Sequence, residues 1–97
     1  MGSKLKASVV ISTWNRRELL EKQLESLINQ TVEMSEYEII VCDSGSTDGT
    51  KAAVSSLAAC HENIRYVEVP VNNPAAKRNK GIRSARADIV ILMDDDV

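Results

Sequence analysis

Three consecutive carboxylates, Asp94-Asp95-Asp96, follow the apolar run Ile89-Val90-Ile91-Leu92-Met93 near the end of this 97-residue chain. The run reads as a fully buried strand of a parallel sheet. Its acids then fall at the carboxyl edge, where open α/β sheets bind ligands. Side chains alternate along a strand, so Asp94 and Asp96 project to one side, roughly 7 Å apart, and Asp95 to the other. Such oxygen donors suit a hard divalent cation, which keeps waters and substrate phosphates as its remaining ligands. A second acid, Asp43, ends another apolar run and opens the loop Asp43-Ser44-Gly45-Ser46-Thr47-Asp48-Gly49-Thr50. Cations come from a third segment, in which Lys77, Arg78, Lys80, Arg83 and Arg86 share one helical stretch. An acidic triplet can be a solvated tail and a basic run a solvated face. The strand ahead of the triplet, and a helix start beside the same edge, argue instead for a pocket that takes a phosphorylated ligand.

Positioning those groups requires alternating strands and helices. A short β-branched run predicts a first strand over about residues 7–12. Asn15 is placed as the N-cap of the helix that follows, with Glu18 where a capping-box acceptor belongs. Leu20, Leu24, Leu27 and Ile28, with Leu19 at the margin, form its apolar stripe, and the helix ends near Gln30. After a polar connection from Thr31 to Glu36, Tyr37 to Cys42 is a second strand ending at Asp43. Ser46 or Thr47 caps a second helix that runs to about Ala59, and Gly45 permits a positive φ or the close approach of a ligand. Residues 63–69 alternate as a half-exposed strand, and Pro70 places that strand at an edge. Asn73-Pro74 supplies a cap and an N1 proline for a helix over 74–86, in which Gly81 points to close packing on a neighbour. Right-handed crossovers give an α/β fold, a Rossmann-like three-layer α/β/α arrangement with a four-stranded parallel sheet in the order 3-2-1-4. The crevice between strands 1 and 4 is then walled by Ser12 to Asn15 and by Asp94 to Asp96, with Asp43 at the neighbouring strand end.

The size is that of one domain, over residues 7–97, with residues 1–6 disordered or vector-derived. A net charge of −2 gives no global reason to expect nucleic acid. No apolar stretch reaches the length of a membrane span, and the start carries no signal-peptide pattern, so the expected location is cytoplasmic, with membrane association left to the full-length protein. Cys42 and Cys60 have neither CxxC spacing nor clustered histidines, which argues against a zinc site or redox pair; both are read as reduced thiols.

Four motifs in order, Val9-Val10-Ile11-Ser12-Thr13-Trp14-Asn15, Ile39 to Thr50, Ala76-Lys77-Arg78-Asn79-Lys80-Gly81-Ile82 and Leu92-Met93-Asp94-Asp95-Asp96, resemble the family 2 glycosyltransferases, inverting enzymes with the GT-A fold. The resemblance implies a nucleotide-diphosphate-sugar site, most often for UDP. On that match Ser12, Thr13, Trp14 and Asn15 lie against the base, with the Trp14 ring as its flank. Asp43, with Ser44 beside it, bonds the base or ribose, and Arg78 reaches the base or diphosphate. The triplet matches the DxD element: Asp94 and Asp95 face the ribose and sugar, and Asp96, with Asp94, holds Mg2+ or Mn2+ across the phosphates. Ser12 stands where the family often has proline, and Ser44 where many members have an acid or Asn.

No residue matches the family's acceptor platform or general base, which are expected beyond Val97. The resemblance therefore implies the donor-binding half of an enzyme, inactive alone, with an acceptor the sequence does not name and an unpaired outer edge on strand 4 that invites self-association. Two other readings remain open at this level: a non-catalytic nucleotide-binding or scaffold module of the same fold, and a phosphotransferase with Asp94 as nucleophile. A dinucleotide-binding domain is disfavoured because no GxGxxG follows the first strand.

Overall fold

The structure is a computed structural model that describes residues 5–29 and 36–94, the last of these through its backbone alone. Asp95, Asp96 and the Asp94 side chain lie outside that description, as do most of the first six residues and of the 31–36 connection. Seven elements follow in order: β1 (Ala7–Thr13), α1 (Arg17–Ile28), β2 (Tyr37–Asp43), α2 (Thr50–Cys60), β3 (Ile64–Glu68), α3 (Pro74–Ser84) and β4 (Val90–Asp94). All strand pairs are parallel and the sheet order is β3-β2-β1-β4, as the crossover argument requires.

The two central strands are buried on both faces, which is why β1 and β2 carry continuous Val and Ile runs. On one face Val9, Ile11, Ile39, Val41 and Ile64 meet Leu20 and Leu24 of α1 and Val54 of α2. On the other face Val10, Ile40, Cys42 and Val69 form a smaller core, joined by Ala76 of α3. A Cβ at Gly81 would overlap Val10 Cγ1 and stand 3.1 Å from Cys42 Sγ, so the glycine lets α3 lie directly on β1 and β2.

Two expectations need correction. The run Ile89 to Met93 is not a fully buried strand: Ile91 is 46% exposed and Leu92 48%, although they point to opposite faces. Its one strand neighbour is β1, and the main helix–strand contacts fall on β1 to β3, so Val90 and Met93 are only partly buried against the margins of the two cores while Ile91 and Leu92 stay exposed. Asn15 is not a helix cap either. Arg16 occupies that position without a side-chain cap, and Asn15 sits before it in the left-handed region at φ 51°. Asparagine tolerates that conformation, which frees its side chain to bond elsewhere. Glu18 is consequently not part of a capping box. The Asn73-Pro74 start does form as read, with Asn73 Oδ1 accepting from Ala75 N at 2.8 Å and Ala76 N at 3.1 Å.

At the amino edge of the sheet, opposite the expected pocket, Glu38 is buried in β2. Its Oε2 accepts from Ser8 Oγ and from Arg86 N, each at 2.6 Å, and its Oε1 from Arg65 Nη2 at 2.8 Å. Burial works to raise the Glu38 carboxyl, but those hydrogen bonds and the Arg65 charge outweigh it and hold the group below its ordinary range. Three strands and the α3–β4 connection are thereby clasped at one carboxylate.

Candidate functional site

The register brings the expected residues to one edge. Thr13 pairs with Asp43 across β1 and β2, and Ser12 pairs with Asp94 across β1 and β4. Asp43 and Asp94 therefore flank the end of β1, roughly 10 Å apart at ordinary strand spacing. The other two acids of the triplet, Asp95 and Asp96, lie outside the described residues. Among the described residues no three metal-ligating side chains cluster.

Ser12 is the side chain with an open hydrogen-bonding capacity here. Its Oγ is buried and has no hydrogen-bond partner among the described residues, beside the strand that ends in Asp94. A buried hydroxyl without a partner is costly, and a ligand oxygen at this crevice would satisfy it. Thr13 is buried, whereas Trp14 is 46% exposed and stands at the rim, not over the core. Asn15 ties the turn to the neighbouring loop: its N–H donates to Ser46 Oγ and its Oδ1 accepts from Thr47 N, each at 2.8 Å.

Asp43 is fully buried, and its carboxylate is already well supplied. Oδ2 accepts from Tyr66 OH at 2.6 Å and from Ser46 N at 3.2 Å, while Ser46 Oγ donates to Oδ1. Burial, that bond, and the charges of Asp43 and Glu68 all push the Tyr66 phenol up, so it remains a donor. Asp43 therefore braces the loop it opens. Contact with a base or ribose would use a remaining lone pair or displace one of these donors. Ser44 Oγ donates to the Val71 carbonyl at 3.1 Å, joining this loop to the one between β3 and α3.

Two residues at this edge escaped the sequence reading. Asp48, not Ser46 or Thr47, closes the start of α2: its Oδ1 accepts from Thr50 N at 3.2 Å and Thr50 Oγ1 at 2.5 Å, while Gly49 at the cap takes φ 88°. The other oxygen accepts from Arg17 N at 2.9 Å, so one carboxylate serves the first turns of two helices. Desolvation opposes ionisation of Asp48, but the bonds from Thr50 and Arg17 prevail and its carboxyl is held below the usual range. Lys77 is the second. It is buried, and its Nζ donates to the Thr13 carbonyl at 3.2 Å and to Asn72 Oδ1 at 3.0 Å. The available signal was Gly81, four residues on and thus on the same helix face, which marks the side turned to the sheet. Arg78, the next residue of α3, is half-buried. A cleft of about 590 Å³ on the outer side of the β1–α1 turn is lined by Asn15, Arg16, Arg17 and Asp48 and shares only Asn15 with the expected site.

This architecture is shared with known enzymes. The chain is 35% identical over 94 residues to a poly(ribitol-phosphate) beta-glucosyltransferase of Bacillus spizizenii, a match covering 95% of this chain and 15% of that protein. A mannosyltransferase of Pyrobaculum calidifontis, solved in complex with GDP-Man and Mn2+, superposes with a TM-score of 0.84 at 31% identity, covering 97% of this chain and 28% of that one. Residues 1–349 of S. aureus TarS, solved in complex with UDP-GlcNAc, give a TM-score of 0.85 at 28% identity, covering 95% and 27%. The chain spans from 15% to 30% of the length of the curated relatives it matches most strongly. Among the described residues no helix is long and apolar enough to cross a membrane. With residues 8–97 matching the model of glycosyl transferase family 2, the chain belongs to that family and carries the sheet of a GT-A glycosyltransferase.

Proposed function

We propose that this chain is the donor-binding part of an inverting, metal-dependent glycosyltransferase that uses a nucleotide-diphosphate sugar, most simply a UDP-sugar. The observation that carries the reading is the register at the carboxyl edge, where Ser12 lies between the strand ends of Asp43 and Asp94 with its hydroxyl unsatisfied among the described residues. Ser12, Thr13, Trp14 and Asn15 form the wall for the base, Asp43 and Ser44 meet base or ribose, and Arg78 meets the diphosphate. Asp94 and Asp95 turn to the ribose and sugar. Asp96 with Asp94 provides hard carboxylate oxygens, a donor set suited to Mg2+ or Mn2+. When bound, the cation neutralises charge on the departing diphosphate. The guanidinium of Arg78 acts on the same charge. The acceptor hydroxyl attacks the anomeric carbon from the face opposite the diphosphate, and a base supplied by the rest of the protein takes its proton. Neither that base nor the acceptor surface is assigned to any residue of this chain.

The reading is tested by titrating UDP into the chain with and without Mn2+. Wild type binds more tightly with the metal, and Asp96→Ala removes that increment while keeping the fold. An affinity indifferent to both metal and substitution would refute the metal bridge. Sugar transfer to added acceptors by the 97-residue chain alone would refute the division of labour.

A further inference from the structure

Lys77 is 5% exposed, an unusual state for an ammonium group, which is seldom buried unless paired. Both of its recorded acceptors are neutral oxygens, one at the end of β1 and one in the loop that precedes α3. A single nitrogen thus joins three segments that the chain separates by as many as 64 residues. Thr13, whose carbonyl it holds, immediately precedes Trp14, the sole tryptophan of the chain. On the far side of Trp14, Asn15 is held by Ser46 and Thr47. Trp14 therefore projects from a turn anchored before and after it, by α3 on one side and by the β2–α2 loop on the other.

We propose that Lys77 is a positioning residue: its ammonium latches the end of β1 to α3 and so fixes the Trp14 turn, and with it the rim of the donor pocket, relative to the Arg78-bearing helix. A charged donor suits this role because its hydrogen bonds to carbonyl oxygens are stronger than those of a neutral group. The latch is derived from the bonds at Lys77 alone; its consequence for ligand affinity rests on the donor-site reading above.

The single tryptophan makes the latch measurable without any ligand. Lys77→Met removes the donor at similar length, and Lys77→Arg restores one. At a temperature where circular dichroism shows the wild-type fold, Lys77→Met is expected to increase acrylamide quenching of Trp14 and lower its fluorescence anisotropy, with Lys77→Arg reversing both. If the methionine chain does not fold, Lys77→Gln, whose head is too short to span the gap, takes its place. A folded variant with wild-type quenching and anisotropy overturns the proposal. In UDP titrations with Mn2+, the folded variant is expected to bind about tenfold more weakly, the scale of one lost charge-assisted hydrogen bond; wild-type affinity with a loosened Trp14 overturns the link to the pocket. Absence of UDP binding by wild type would remove the donor-site reading, whereas the latch would still stand or fall on the fluorescence.

Discussion

Substituting Glu38 by glutamine tests whether the carboxylate clasp at the amino edge holds the sheet together. The replacement keeps the shape and one carbonyl oxygen, which has two lone pairs for Ser8 Oγ and Arg86 N, the donors now held at 2.6 Å. Its amide then turns N–H groups toward Arg65 Nη2, which at present donates to Glu38 Oε1 at 2.8 Å. One charge-assisted hydrogen bond in a buried setting is lost, about 2 kcal/mol. For a domain of this size that lowers the melting temperature by about 8–16 °C at neutral pH. The acid dependence carries the sign. The folded Glu38 carboxyl is held below its ordinary value, so its contribution is complete above the unfolded pKa of about 4.3 and disappears as pH falls through the lower folded value. The gap between wild type and Glu38→Gln in thermal melts is therefore constant from neutrality down to about pH 5 and narrows below about pH 4. A variant that melts with wild type at pH 7, or a gap that persists unchanged in acid, would refute the clasp.

Gly81→Ala should destabilise the chain although alanine is the better helix former, because the new methyl meets Val10 in the sheet. Overpacking costs about 1–3 kcal/mol and the propensity gain returns about 1; urea melts measure the net loss, and Val10→Ala in the same chain should recover part of it. Burial pushes the Cys42 thiol up to about 11, against the opposing pull of Arg65, Lys77 and Lys80. Iodoacetamide at pH 8 should therefore modify exposed Cys60 and spare Cys42 until the chain is unfolded, and equal labelling of both in the folded state would contradict the assigned core.

The architecture was legible because its signals are local. β-branched runs at regular spacing fix four strands, short connections force parallel crossovers, and Asn73-Pro74 and Gly81 mark the start and the packed face of α3. What escaped is bonding between residues remote in sequence. Asn15 carries a good local N-cap signal, yet its side chain bonds to Thr47, 32 residues on, and the α1 amide it was assigned goes to Asp48, 31 residues from Arg17. Asp48 itself looked like one polar residue among several in a loop. Glu38 alternates with apolar neighbours, the pattern of a solvent-facing strand position, but its donors arrive from Ser8, Arg65 and Arg86, the last 48 residues away. Lys77 was indistinguishable in composition from the exposed Lys80 beside it, and only the contact face shared with Gly81 separates them. The exposure of Ile91 and Leu92 was hidden for a different reason: an apolar run reports that a strand is covered in the protein that uses it, and the cover need not come from the same segment.

The two edges of the sheet are held by different means, and this separates stability from binding. At the amino edge the clasp is ionic and buried, so it gains from a low local dielectric. At the carboxyl edge the ties between loops are mostly exposed hydrogen bonds, Asn15 to Ser46 and Thr47, Arg17 to Asp48, and Ser44 to Val71. Each contributes modestly because water competes for the same groups. Such loops open at lower free energy than the strands beneath them. On the proposed reading, a nucleotide at this edge would meet loops able to rearrange around it, including the bonds now made by Asp43, without loosening the four strands that place Ser12, Asp43 and Asp94 side by side. Lys77, like the Asp43 carboxylate, is a buried charged tie at that edge, and it falls where β1 is joined to α3.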